Sequence, residues 1–485
     1  MALAKITEVA TMTSTELISS NTLSATPSFN QTDELPAGGL DANHFDWQEV
    51  WYPIHYVKDL DKTKPTPFTL LDRKLVIWWD KNASVWRVFD DKCPHRLALL
   101  SEGRINEQGL IECPYHGWTF SGSGKCEFIP QQREGTNAEE SKRACVTSLP
   151  TTVCQGLLFT YPGNPENAPK VKVPIIESLE DNSGEWVCID TFRDLPYDAL
   201  TLLENVLDAS HVPFTHHGTV GNRNNAAPVE LELVKSGRQG FTGIWEEGPR
   251  KGTLGKQDTL FIAPNFMTHD LTSKQFGRTL TVVYATPISK GKCRLFARFP
   301  FQFSSKLPKF FINLTPRWYS HTNQNTILED DQIFLHYQER FLEEAGGSQN
   351  YTKACYLPTK ADIYVNGLRQ WVNDYDAEPF KDQPLPPPLP KEQLLDRYYS
   401  HTVHCGSCSK ALANIQRLKM ALGILTAIAL ILTPLAVTYR EFLPILTLWI
   451  LTGISFMSGA SWLGLGILEK RFYQGSSLPS RNIQK

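Results

Sequence analysis

Two uncharged runs near the C-terminus restrict what this chain can fold into more than any other feature. Met420 to Val437 is 18 residues without a charge, and Phe442 to Leu468 is 27 more, with Arg440 and Glu441 in the short turn between them. In hydrocarbon every backbone N–H and C=O must be satisfied within the segment, so two such runs are expected as a transmembrane helical hairpin. Arg417 and Lys419 precede the first run, and Lys470 and Arg471 follow the second. The positive-inside rule then puts both ends, and the large N-terminal part, on the cytoplasmic or stromal side. Ser455-xxx-Gly459 and Ala460-xxx-Gly464 predict a close approach of the two helices.

The rest of the 485 residues is long enough for two or three folded units. A net charge of −3 offers no surface for a polyanion, so no nucleic-acid partner is expected. Ten cysteines are scattered, with one close pair at Cys405 and Cys408, which fits a reducing compartment better than a disulfide scaffold. Residues 1–45 are rich in Ser, Thr and Ala and are expected to be disordered. Their Ser content is that of a plastid transit peptide, but Glu8, Glu16 and a first arginine only at Arg73 count against one. From Trp47 to about Gly163 the chain reads as short strands, with a hairpin at "KNAS". A helix is expected over Ala199–Ser210, strands at "RTLTVVYATPI" and "KCRLFARFPFQF", and a helix from Glu329 to Gly346-Gly347. The "PLPPPLP" run should be extended.

Within the strand-rich part, "CPHRL" supplies Cys93 and His95, and "CPYHGW" supplies Cys113 and His116. Zinc modules usually space their ligands Cys-x2–4-Cys. Cys-x-His with Cys-x2-His in a β-rich setting is instead the Rieske 2Fe–2S pattern, in which two thiolates hold one iron and two imidazoles the other. Gly117 allows the second loop to turn, and Trp118 can shield the cluster. Ala98 and Tyr115 stand where quinol-oxidising Rieske subunits carry an extra disulfide, so the cluster resembles the kind that feeds oxygenases.

Downstream, "LLENVLDASHVPFTHHG" concentrates Asn205, Asp208, His211, His216 and His217. On one helix Asp208 and His211 would share a face opposite the Leu202/Leu203/Val206/Leu207 stripe. His211 and His216 would diverge by about 140°, unless Pro213 breaks the helix and lets them converge. A non-haem Fe(II) oxygenase needs two histidines and one carboxylate on one side of the iron. The stretch resembles the Asp-x2-His-x4-His motif of Rieske non-haem iron oxygenases. That resemblance implies iron ligation by His211 and His216, and an electronic bridge from Asp208 to a Rieske histidine of a neighbouring subunit in a ring, usually a homotrimer. Asn205 matches a polar residue near the iron, and His217 is expected to be a bystander. The third ligand is expected from "LEDDQIFLHYQER", with Asp331 preferred over Asp330. As ordinary helix residues, both acids would simply suit a helix N-terminus.

The hairpin, the CxxC and "FDWQEVWYPIHYVKDLDKTKPTPFTLLDRKLVIWWD" together resemble the pheophorbide a oxygenase and lethal-leaf-spot family, over roughly Trp47 to Leu468. Chlorophyllide a oxygenase and the translocon-associated Rieske proteins are relatives. The resemblance implies a Rieske 2Fe–2S cluster and a mononuclear Fe(II), with O2, reduced ferredoxin and a chlorophyll-derived tetrapyrrole as reactants. It also implies contact with membrane lipid, in a thylakoid or plasma membrane of a cyanobacterium or in a chloroplast membrane. The aromatic "RFPFQF" and "LPKFF" segments would suit a large apolar substrate, although such phenylalanines are more often plain core. Three readings of Cys405 and Cys408 stay open: a redox dithiol, for which family members are proposed thioredoxin targets; a zinc site with His401 and His404; or an inert pair. The expected fold is α+β. Residues 46–165 are an all-β Rieske domain and 166–395 a helix-grip-like catalytic domain. A CxxC linker (396–415), the hairpin (416–470) and a tail (471–485) complete it.

Overall fold

A computed structural model describes residues 35–180, 184–273 and 277–483. The hairpin around "KNAS" pairs Arg73–Asp80 with Val85–Asp90. Asp80 fixes its turn by accepting the N–H groups of Asn82 and Ala83 at 3.0 and 3.1 Å. Thr66–Leu70 and Ser148–Leu149 extend this pair to four strands, and Tyr52–Tyr56, Leu157–Thr160 and Thr151–Cys154 form a three-stranded sheet. A smaller sheet of four short strands spans Arg104–Phe128 and shares a core with Trp78 and Phe89. It carries the second cysteine–histidine loop.

Residues 1–34 of the expected disordered segment lie outside the described residues. Leu35–Phe45 departs from that expectation. Phe45 is buried against Trp371, and the Arg238 guanidinium donates to the carbonyls of Ala37, Gly38, Asp41 and His44. An aromatic anchor and four satisfied carbonyls hold a stretch whose composition reads as coil.

The second unit is a seven-stranded antiparallel sheet in which each strand from Glu232 to Gln302 pairs with the next. The opening strand, Val187–Leu195, lies beside the last, Lys292–Gln302, with Thr191 opposite Ala297. Three helices pack on it: Ala199–Leu207, Arg317–Glu344 and Ile363–Asp374. The first buries Leu202, Leu203 and Leu207, as its apolar stripe requires. One core runs from these leucines into Tyr52, Ile54 and Leu75 of the strand-rich unit, so the two units share a packed interface.

Two helix boundaries differ from expectation. The Ala199 helix stops at Leu207, and Asp208 takes an extended conformation. The Asp208 carboxylate accepts from both the N–H and the hydroxyl of Ser210, a local turn that competes with the helix. Pro213 therefore does not break this helix but starts the one-turn helix Val212–Thr215, where its missing N–H is harmless. The long helix starts at Arg317, not Glu329, so Asp330 and Asp331 lie in its middle, not at its N-terminus. The proline run crosses this helix as an extended strap: Arg340 donates to the Pro386 carbonyl at 3.0 Å and the Leu389 N–H to His336 at 2.9 Å.

The helices are joined by buried charge. Glu204 accepts from the Arg369 Nε at 2.8 Å, the Tyr351 hydroxyl at 2.8 Å and the Gln338 amide at 2.9 Å. Glu204→Ala would leave the Arg369 guanidinium buried and unpaired, and should lower unfolding free energy by about 3–5 kcal/mol in a denaturant titration. Glu339, on the long helix, accepts the Asp198 N–H at the start of the Ala199 helix. Burial, and then the neighbouring Asp198 carboxylate, push its pKa up to about 9. Folding therefore holds a proton there that the unfolded chain releases above 4.5, so the stability this proton supplies is full below 4.5 and drains away as pH rises towards 9. Glu339→Gln should flatten that decline in melting curves recorded across this range.

At the C-terminus, Gly406–Thr438 and Ile445–Lys470 are long and apolar enough to cross a membrane. The first helix begins inside the stretch expected as linker, because Cys408, Leu412 and Ile415 bury into the core of the sheet. Thr426 and Ser458 hydrogen-bond between the helices at 2.7 Å, with Gly459 facing Thr426. Ala460 and Gly464 are exposed and do not form the expected second contact. Lys419 and Glu469 pair at the base of the hairpin.

Candidate metal centres

The two cysteine–histidine loops are built on one plan. The Cys93 N–H donates to the Ala98 carbonyl at 2.8 Å, and the Cys93 carbonyl accepts from Leu97 at 2.9 Å. The Cys113 N–H donates to Trp118 at 2.8 Å, and its carbonyl accepts from Gly117 at 3.1 Å. The equivalent turn positions Leu97 and Gly117 have φ of 60° and 73°. The Gly117 requirement was visible in the sequence, whereas Leu97 accepts the same strained turn with a side chain. Cys93 and Cys113 are buried, and the His95 and His116 rings meet with centroids 4.5 Å apart. Trp118 stacks on His95 at 4.7 Å. The hydrogen bond from Cys93 first, and backbone N–H groups of Tyr115 and His116 after it, bring the Cys113 pKa down to about 6 against the cost of burial. His95 Nδ1 is buried without a hydrogen-bond partner, as a metal-ligating nitrogen would be in a protein-only structure.

At the second centre the early end of the Ala199 helix and the turn at Asp208–Ser210 re-aim the chain. His211 and His216 then face each other across 5.2 Å between ring centroids. Asp331 reaches both from the long helix, 3.2 Å from His216 Nε2 and 3.9 Å from His211 Nε2. Each imidazole is oriented from behind: His211 Nδ1 lies 2.5 Å from the Asp208 carbonyl, and His216 Nδ1 3.4 Å from the Asp330 carboxylate. Both Nε2 lone pairs consequently point at Asp331, the arrangement a divalent cation requires. Burial opposes a proton on His216, but Asp330 and Asp331 prevail and push its pKa up to about 9, so a cation displaces a proton there.

Of the two candidate acids, Asp331 lies among the histidine nitrogens, and Asp330 lies behind His216, where it accepts the Thr219 hydroxyl at 3.0 Å. Asn205 donates to Asp331 at 3.4 Å. His217 is turned away and accepts the Arg223 N–H. Sequence reasoning missed two contributors. Arg481, in the expected tail, donates to the Asp330 carbonyl at 2.6 Å, a contact across 151 residues with no local sequence signal. His269 lies near His211, held by the Val206 carbonyl and Thr259 hydroxyl, each at 2.9 Å. Burial lowers its pKa to about 4 and keeps it neutral. Its signal was weak: one polar residue among several in the strand Phe266–Ser273.

His211, His216 and Asp331 line a cavity of about 680 Å³, within the usual span of small-molecule sites. Trp245, Val283, Leu295 and Phe299 supply apolar wall. Phe299 belongs to "RFPFQF" and both lines the cavity and packs against the core. "LPKFF" does not line the cavity: it forms the Lys306–Leu314 helix with Phe310 and Phe311 exposed.

Residues 50–153 match the family described as Rieske 2Fe-2S domain, and residues 261–349 the family described as pheophorbide a oxygenase. Over 406 residues the chain is 39% identical to pheophorbide a oxygenase of Oryza sativa subsp. japonica, covering 77% of this chain and 75% of that protein. The chain belongs to the pheophorbide a oxygenase family. It is therefore a Rieske non-haem iron oxygenase. Flavonoid 8-hydroxylase 2 of Ocimum basilicum is 34% identical over 464 residues, covering 88% of this chain and 85% of that protein. Dicamba monooxygenase bound to dicamba shares the fold at 19% identity with a TM-score of 0.55, over 67% of this chain and 97% of that one. The two-thiolate, two-imidazole set and the two-imidazole, one-carboxylate set have the donor chemistry of the family's cluster and iron.

Proposed function

We propose that this chain is a membrane-anchored oxygenase that uses O2 and electrons from reduced ferredoxin to oxygenate a chlorophyll-derived tetrapyrrole of the pheophorbide a or chlorophyllide a class. The convergence of His211, His216 and Asp331 in the lining of a large apolar-walled cavity carries this reading. Cys93, His95, Cys113 and His116 would hold the 2Fe–2S cluster, and His211, His216 and Asp331 the iron. Bound there, the two groups would supply stored electrons and the activation of O2. Asp208 and Asp330 orient the two imidazoles, and Asn205 holds Asp331. Asp208, with its side chain part-exposed, is the coupling residue towards the cluster of a neighbouring copy in a homotrimer. The apolar wall binds the macrocycle and excludes water. Both C-terminal helices span the bilayer, leaving the oxygenase on the cytoplasmic or stromal face.

A second reading, oxygenation of a flavonoid-type aromatic, is favoured by the Ocimum basilicum relative alone. Incubation with reduced ferredoxin, O2 and, in parallel, pheophorbide a, chlorophyllide a and a flavone separates the two by mass of product. An oxygenated tetrapyrrole is expected. Turnover of the flavone with no tetrapyrrole product would overturn the first reading.

A further inference from the structure

A third metal-ligand constellation lies away from both of these centres. His321 is in the first turns of the Arg317–Glu344 helix, His401 precedes the short turn Thr402–His404, Cys405 caps the anchor helix and Cys408 is in its first turn. All four are buried, at 0% to 1% exposure. His321 Nδ1 lies 3.0 Å from His401 Nε2, 3.4 Å from Cys405 Sγ and 3.5 Å from Cys408 Sγ, and His401 Nε2 lies 3.3 Å from Cys408 Sγ. Tetrahedral zinc with Zn–N of about 2.05 Å and Zn–S of about 2.3 Å separates its ligands by roughly 3.4 to 3.8 Å. The observed spacings are close to that shell.

The tautomers agree with it. His321 Nε2 faces the Asp190 carbonyl at 2.9 Å and His401 Nδ1 the Phe192 carbonyl at 2.6 Å. Both outer nitrogens must be N–H donors, because a carbonyl only accepts. The two inner nitrogens are then bare lone pairs 3.0 Å apart, an unfavourable contact unless a cation sits between them and the sulfurs. We propose that His321, His401, Cys405 and Cys408 form a structural zinc site, closed by four protein ligands.

The expected zinc partner His404 is not among these ligands. It is half-buried, and burial first and the Arg294 guanidinium after it hold its pKa down at about 4 against the opposing pull of the Asp194 carboxylate. A thioredoxin-reducible dithiol requires a sulfur that a partner can reach, and neither sulfur is exposed. The site joins the base of the apolar hairpin to the helix that carries Asp331, about 15 Å further along. Between them Glu329 accepts from Arg193 at 2.8 Å and from Arg397 at 2.7 Å, so the bridge is rigid and polar. Zinc would therefore fix the anchor relative to the oxygenase cavity, whatever the cavity's substrate.

Metal analysis of the full-length protein in detergent tests this without reference to turnover. About one zinc per chain is expected in addition to iron. His321→Ala and Cys408→Ser should each lose it while keeping the Rieske absorption, and Cys145→Ser, at an exposed cysteine, should keep it. Growth with cobalt should give the visible and thiolate charge-transfer bands of a tetrahedral site, absent from Cys408→Ser. Zinc-free wild-type protein, zinc unchanged in both ligand variants, or a Cys405–Cys408 disulfide in the isolated protein would each overturn the proposal.

Discussion

Asp331→Asn is expected to abolish turnover while leaving the Rieske absorption and its reduction by dithionite intact. Asp331 is the carboxylate that lies among the histidine nitrogens, and an amide cannot supply the charge that balances a ferrous ion. Iron content should fall from about three to about two per chain. Asp330→Asn behaves differently, since Asp330 acts on the Nδ1 side of His216. Loss of such an outer partner typically weakens metal affinity or activity by about 10–100-fold, and excess Fe(II) should restore it. Complete iron loss in Asp330→Asn with retention in Asp331→Asn would reverse the assignment. A wild-type count of only about two irons would instead point to a redox-sensing membrane component without turnover.

Asp208→Asn is expected to keep both metal centres and still lose activity by about 10–100-fold or more. The Asp208 carbonyl, which orients His211 at 2.5 Å, belongs to the backbone and survives the substitution. The carboxylate, 3.8 Å from His211 Nδ1, does not. Stopped-flow oxidation of the reduced cluster by O2 in the presence of substrate should slow, with iron content unchanged. Loss of iron in this variant would make Asp208 a determinant of the metal shell itself, not of the route by which electrons reach it.

What was legible in the sequence follows from chain distance. Cys93, His95, Cys113 and His116 could be read as one candidate set because each pair sits on one short loop, and the structure brings the two loops together. His211 and His216 could be read for the same reason, although the local geometry was not. The Asp208–Ser210 turn, and not Pro213, ends the helix, because a short acidic side chain competes with the helical ladder for the same N–H. The start of the long helix at Arg317 was hidden by "RWYSHTNQNTIL", whose polar residues obscure an apolar period. Pro316, immediately before it, was the available signal. His321 could not be joined to His401 across 80 residues by any local pattern, so the sequence offers the CxxC only its near neighbours His401 and His404, of which the structure brings His401 to the sulfurs. Arg481 and His269 fall under the same rule, since tertiary packing alone brings them to the iron residues.

The most direct test of the central claim is a single turnover. Protein loaded with Fe(II), with its cluster reduced chemically, is mixed with pheophorbide a under 18O2, and the pigment is recovered for mass spectrometry. Incorporation of 18O into the tetrapyrrole, coupled to oxidation of the cluster and absent from Asp331→Asn, is the predicted result. Cluster oxidation that leaves pheophorbide a and chlorophyllide a unlabelled would contradict the account.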